Sequence, residues 1–139
     1  MFEKVELARK RLTEGNFTCV LHIRGEEYTS FERGVKPLLG FLKSEISFRG
    51  AIAADKTVGA GAAYLYCLLG VRAVWANVIS EAAAEVLAKE GIAVFFGERV
   101  PYIINRQGDG KCPIESAVAD ATSPQHAYEL ILAALEALR

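Results

Sequence analysis

A chain of 139 residues with 52% apolar and 24% charged side chains has the material for one domain with one core, and the composition excludes disorder. Its net charge of −1 and 16 scattered basic residues form no basic stripe with interleaved aromatics, which argues against nucleic-acid binding. No apolar run reaches the roughly 18 residues of a membrane span, and three widely spaced cysteines argue against a disulfide framework and for a reducing cytoplasm.

The segment Met1 to Arg11 mixes Glu3, Lys4, Glu6, Lys10 and Arg11 with apolar residues, an amphipathic pattern and not a signal peptide. Phe2, Val5, Leu7 and Leu12 fall on one side of a helix that ends near Gly15. Phe17 to Ile23 is rich in β-formers, Gly25-Glu26 is turn-like, and Tyr28 to Phe31 returns as the second strand of a hairpin. Pro37 opens a helix of about two turns with Leu38, Leu39, Phe41 and Leu42 on its apolar face.

Gly50 to Ala54 reads as a short strand buried on both faces. The helix Val58 to Leu69 begins small and ends large, with Gly70 as its cap. Val71 to Ile79 is the next buried strand, Ser80 to Lys89 the next helix and Ile92 to Phe96 the last strand. Residues 97 to 111 read as irregular, Pro113 to Ala119 as a short helix, and Ser123-Pro124 as the start of a final helix.

Strands separated by helices imply right-handed crossovers and parallel pairing. The expected fold is therefore α/β: a three-layer α-β-α domain with a mixed sheet of about five strands, an antiparallel N-terminal hairpin followed by a parallel βαβαβ unit. One domain spans 1–139: a helix over 1–15, the sheet core over 16–97, and a loop with C-terminal helices over 98–139.

Ligands of open α/β sheets bind beyond the carboxyl ends of the parallel strands. Two junctions fit that place, Ala54-Asp55-Lys56-Thr57-Val58-Gly59 and Ala76-Asn77-Val78-Ile79-Ser80-Glu81. Each puts polar residues before a helix N-terminus, where free N–H groups favour anions. Asp55 and Lys56 are either a cap and a solvated cation or a ligand-facing acid and base. Gly59 and Gly61 cost helix stability, about 1 kcal/mol each relative to alanine, which marks a close approach to a neighbouring element or a ligand. Ser80-Glu81 is either a cap with an acid in the first turn or a ligand contact.

A third stretch, Asn105-Arg106-Gln107-Gly108-Asp109-Gly110-Lys111-Cys112-Pro113-Ile114-Glu115, joins two cations to a cysteine at a helix start. Cys112 is either an N-cap followed by Pro113 and a first-turn acid, Glu115, or a thiol activated by the helix end. Cys19, Cys67 and His22 read as structural.

The order of elements resembles the cytidine deaminase-like fold. The runs Ala53 to Ala63, Val78-Ile79-Ser80-Glu81, Pro101-Tyr102-Ile103-Ile104-Asn105-Arg106 and Cys112-Pro113-Ile114-Glu115 resemble one uncharacterised bacterial family of that superfamily, over roughly residues 17 to 135. Active members of the superfamily carry His/Cys-x-Glu at the start of one helix and Pro-Cys-x-x-Cys at the start of the next, and these hold Zn²⁺. The corresponding starts here are Asp55-Lys56-Thr57 and Ile79-Ser80-Glu81, without thiol or imidazole, and there is no Cys-x-x-Cys. The resemblance thus implies a fold and a pocket position without zinc or another cofactor.

The expected function is binding of a small molecule, a nucleotide or related metabolite, at two adjacent helix N-termini. Gly59, Ser80, Asn105, Arg106, Asp109 and Cys112 are its candidate contacts. One alternative is a metal-free enzyme with Asp55 or Glu81 as acid/base and Lys56 as electrostatic stabiliser or nucleophile. Another is a silent interaction module. Related folds commonly self-associate, so the resemblance also implies a homodimer.

Overall fold

The computed structural model describes residues 1–138. Its elements in chain order are α1 (Phe2–Glu14), β1 (Cys19–Ile23), β2 (Glu26–Ser30), α2 (Lys36–Lys43), β3 (Ile52–Val58), α3 (Ala60–Leu69), β4 (Ala73–Ser80), α4 (Glu81–Lys89), β5 (Ala93–Val100), α5 (Pro113–Ala117) and α6 (Pro124–Ala137). The five strands form one mixed sheet in the order β2-β1-β3-β4-β5. β1 pairs antiparallel with both β2 and β3, whereas β3, β4 and β5 run parallel. This is the α/β architecture that the alternation of strands and helices predicts.

The pleat divides the core in two. Val20, Ile52, Ala54 and Ala73 face α1, which buries Val5, Ala8 and Leu12 against them at helical spacing. Leu21, Ala53, Val74 and Ala76 face the opposite side, under α3 and α4. α3 is apolar nearly all round because it lies between the sheet and α6, with Ala60, Gly61, Ala62, Ala63, Leu65, Tyr66 and Leu69 all buried.

Two strands run further than their residue types suggest. β3 continues through Asp55, Lys56 and Thr57 to Val58, and β5 continues through Gly97, Glu98 and Arg99 to Val100. The cause is pairing with β4, which matches Asp55 to Ala76, Val58 to Ile79 and Ser80 to Val100. Ladder hydrogen bonds across a central strand outweigh the poor β-propensity of Asp, Lys and Gly. The expected strand end at Ala54 is thereby corrected: Asp55 and Lys56 are strand residues, and the true junctions are Gly59 before α3 and Ser80 before α4.

The hairpin turn is Arg24-Gly25, one residue earlier than the sequence indicates, because Ile23 pairs with Glu26.

Candidate functional site

Asp55 and Lys56 sit on neighbouring positions of β3, so alternation sends their side chains to opposite faces. Asp55 is buried beneath α3, where Tyr66 donates a hydrogen bond to Oδ2 at 2.6 Å and the Thr57 amide donates to Oδ1 at 3.2 Å. The Cys19 thiol lies 3.3 Å from the Tyr66 hydroxyl. Burial pushes the Asp55 carboxyl up to about 7, against the lowering effect of the Tyr66 and backbone hydrogen bonds. Burial and then the neighbouring Asp55 push both the Tyr66 phenol and the Cys19 thiol up.

Lys56 is exposed on the other face, with Nζ donating to Asn16 Oδ1 at 3.1 Å. Glu81, in the first turn of α4, is exposed. The structure therefore does not bring Asp55, Lys56 and Glu81 together as an acid, a base and a cation. The pleat separates the first two, and the first turn of α4 turns the third outward.

Glu115 occupies the place where the two helix starts converge. Its Oε2 accepts from the Ala60 amide at 2.8 Å and from the Ser80 hydroxyl, and its Oε1 accepts from the Ile103 amide at 2.7 Å. Ser80 Oγ in turn accepts from the Ala83 amide at 3.1 Å, capping α4 from a fully buried position. One carboxylate on α5 thus caps α3, ties it to α4 and anchors the segment that follows β5. An anion at a helix N-terminus is favourable; here the chain supplies that anion itself.

Glu115 was legible only as a first-turn acid of its own helix. A sharper signal lay elsewhere. α3 opens with Gly59-Ala60-Gly61, which offers no capping side chain, so its free amides need an acceptor from another element.

The two glycines make this approach possible. A Cβ on Gly59 would lie 3.2 Å from both Glu115 Oε2 and Ile103 Cγ1. A Cβ on Gly61 would lie 2.6 Å from Ile114 Cγ2 and 3.6 Å from Ile131 Cδ1. Gly61 serves contact with α5 and α6, while Gly59 sits against Glu115.

Asn105 and Asp109 bind each other. Asn105 Nδ2 donates to Asp109 Oδ1 at 2.9 Å, and the Asp109 amide donates to Asn105 Oδ1 at 3.2 Å. They close an exposed finger whose base is the Ile104–Lys111 bridge. Arg106 is exposed at its tip. Cys112 is the N-cap residue of α5 by position, its side chain makes no capping bond, and its amide donates to Ile103 O at 2.8 Å.

Beside Glu115 a cleft of about 530 Å³ opens between α4, α5 and residues 101–111. Ala60 and Ala82 bring the first turns of α3 and α4 to it, Tyr64 and Tyr102 supply aromatic surface, Lys89 and Lys111 supply positive charge, and Glu85 joins Glu115 in supplying negative charge. The Lys111 ammonium lies 5.0 Å from the centre of the Tyr102 ring. Glu115 lines this cleft, but Asp55, Lys56, Glu81, Asn105, Arg106, Asp109 and Cys112 do not.

Zinc of the kind held by the deaminases that the sequence resembles has no matching ligand set at these helix starts. The groups there are one carboxylate and one hydroxyl, bonded to each other and to backbone amides, where zinc prefers three or four N, S or O ligands. No group of three or more His, Cys, Asp or Glu among the described residues could hold a metal ion.

The model of the domain of unknown function DUF1893 matches residues 7–135, and the chain belongs to that family. It is similar to the crystal structure of TM1506, a DUF1893 family protein from Thermotoga maritima. That likeness has a TM-score of 0.84 and 24% identity, over 97% of this chain and 90% of the other. It also aligns with a dCMP deaminase from cyanophage S-TIM5, at a TM-score of 0.49 and 16% identity over 70% of this chain and 98% of the other. A third likeness is to a diaminohydroxyphosphoribosylaminopyrimidine deaminase/5-amino-6-(5-phosphoribosylamino)uracil reductase from Thermotoga maritima. Its TM-score is 0.49 and its identity 15%, over 68% of this chain and 36% of the other. No curated protein matches.

Proposed function

We propose that this chain binds a small polar metabolite of nucleotide type, without zinc, in the cleft beside Glu115. The carrying observation is one cleft lined by the first-turn residues Ala60 of α3 and Ala82 of α4, by Tyr64 and Tyr102, by Lys111, and by Lys89 from the far end of α4. Its volume falls in the range of small-molecule sites, roughly 300 to 1,000 Å³. The exposed Tyr102 ring offers a stacking face for a base, and Lys89 and Lys111 offer charge for a phosphate. Glu115 has accepting capacity beyond the bonds that hold it, so it can also take a hydrogen bond from a ribose or base donor.

The contact set differs from the one read in the sequence. Gly59 and Ser80 act through Glu115, and Lys111, at the base of the Asn105–Asp109 finger, lines the cleft. Asp55 bonds to Tyr66 and Lys56 to Asn16 on opposite faces of β3, which favours the cleft over a metal-free reaction at Asp55, Lys56 and Glu81.

Calorimetric titration with nucleoside monophosphates, and with the matching nucleosides, tests this reading. Saturable binding should weaken about tenfold, equivalent to 1.4 kcal/mol, in Lys111→Gln and in Tyr102→Ala. At a ligand concentration of about 100 Kd, the unfolding free energy should rise by about 2.7 kcal/mol. Flat titrations across the panel, or binding that both substitutions leave unchanged, would contradict it. Self-association is proposed on family resemblance and is read by sedimentation velocity; a monomer across the accessible concentration range refutes it.

A further inference from the structure

A second cavity lies at the opposite end of the sheet, where β3 and β4 begin and the β1–β2 hairpin turns. Its volume is about 390 Å³, and its walls come from α1, the hairpin and the segments before β3 and β4. Lys4, Arg24, Arg72, Leu7, Ile23 and Ile52 line it; Leu7 is the exposed apolar side chain among them, Ile52 is buried under α1, and Ile23 packs on the other face of the sheet. Arg11 also lines it, but forms a two-pronged ion pair with Glu27 at 2.9 Å, and His22 Nε2 lies 2.8 Å from the same carboxylate. Glu27 is therefore spent on Arg11 and His22, and Glu26 is the one other carboxylate in the wall among the described residues.

Three further cations face that single acid. Lys4 and Arg72 form no ion pair with any described residue. Arg24 donates from one nitrogen to Ser47 O at 3.0 Å, which leaves most of its five N–H donors unspent. The backbone gives a separate indication. Arg24 has φ +50° and Gly25 φ +77°, so both central residues of a two-residue hairpin turn are left-handed. Asparagine is favoured at the first of these positions. An arginine there is strained, and such strain concentrates where a side chain is needed in a fixed place.

We propose that this cavity binds a phosphomonoester of a small metabolite. The phosphate would be held by Arg24, Arg72 and Lys4, and the carbon skeleton would lie against Leu7. A planar guanidinium fork matches phosphate oxygens, and an ammonium adds a point charge. Inorganic phosphate alone would leave the exposed Leu7 side chain unused. The site is distinct from the cleft beside Glu115, because the two lie at opposite ends of the parallel strands.

Isothermal titration with ribose 5-phosphate, ribose, inorganic phosphate and sulfate tests the assignment on the full chain. Ribose 5-phosphate should bind one to one, more tightly than phosphate or sulfate, and ribose should not bind. Arg72→Gln and Lys4→Gln, both exposed positions, should each weaken binding about tenfold, whereas Lys43→Gln, exposed on α2 and outside both cavities, should leave it unchanged. Four results would overturn the proposal. They are no saturable binding into the millimolar range, equal affinity for sulfate or free phosphate, indifference to both substitutions, and an equal loss in Lys43→Gln.

Discussion

Glu115 joins three elements through one carboxylate. Truncating it to alanine removes the acceptor of the Ala60 and Ile103 amides and leaves the buried Ser80 hydroxyl without its partner on α5. Hydrogen bonds to charged groups are worth about 1.5 to 3 kcal/mol, and stranded buried donors add to the loss. Partial exposure of Glu115 tempers this, so the expected destabilisation is about 2 to 4 kcal/mol by urea denaturation. Glu115→Gln should lose less, since its amide oxygen still accepts from one or two donors. A loss below about 0.5 kcal/mol in the alanine variant, the level of a plain surface substitution, would show that the carboxylate does not tie these elements together.

Asp55 acts on stability in the opposite sense to a salt-bridged acid. Its folded-state value of about 7 lies above the ordinary 3.8, so the folded chain holds the extra proton between those values. Its favourable contribution is complete below pH 3.8 and is lost as the pH rises through 7. The slope reaches at most about 1.4 kcal/mol per pH unit. Glu27 works the other way below pH 4.5, because its Arg11 and His22 partners hold it down to about 2. Stability should therefore fall from pH 5 to pH 7.5 in the wild type. Asp55→Asn should flatten this decline, and an unchanged slope would place the titration elsewhere.

At the scale of elements, the contact between α3 and the α5–α6 pair decides how tightly the helix layer closes. Gly61→Ala gains about 1 kcal/mol of helix propensity. It also drives a methyl to within 2.6 Å of Ile114 Cγ2, and a β-branched neighbour has little freedom to rotate away. Overpacking typically costs 1 to 3 kcal/mol, so a net destabilisation of about 1 kcal/mol is expected in thermal unfolding. A stabilised variant would mean that the two helices part easily.

Element identity was readable because periodicity and turn residues are local. Each helix and strand was found, and Ser80 and Ser123 cap α4 and α6 as their sequence positions indicate. Strand ends were less readable. Nothing local in Asp55-Lys56-Thr57 signals a β-strand; pairing with β4 makes it one. The same non-local cause hid the site. Glu115 lies 55 residues from Ala60 and 35 from Ser80, and spacing along the chain cannot show that a first-turn acid caps a different helix. The proposed cleft adjoins the starts of α3 and α4, the place that the sequence reading singles out. Its side chains were not legible, because Tyr64, Lys89 and Lys111 are unremarkable in their own segments.

Across the whole molecule, the sheet separates two kinds of surface. One end carries the cleft formed by helix starts, aromatic rings and lysines; the other carries the arginine-lined cavity beside the hairpin. Parallel strands of seven or eight residues, at about 3.3 Å each, hold them more than 20 Å apart, so ligands at one end should not compete directly with ligands at the other.

Amide chemical-shift mapping during titration with a nucleoside monophosphate tests the proposed function most directly. The expected result is a saturable set of shifts at Ala60, Ala82, Tyr102, Lys111 and Ser116, with saturation moved to about tenfold higher ligand in Lys111→Gln. Saturable binding that leaves those amides in place, or no shift anywhere in the chain, would contradict it.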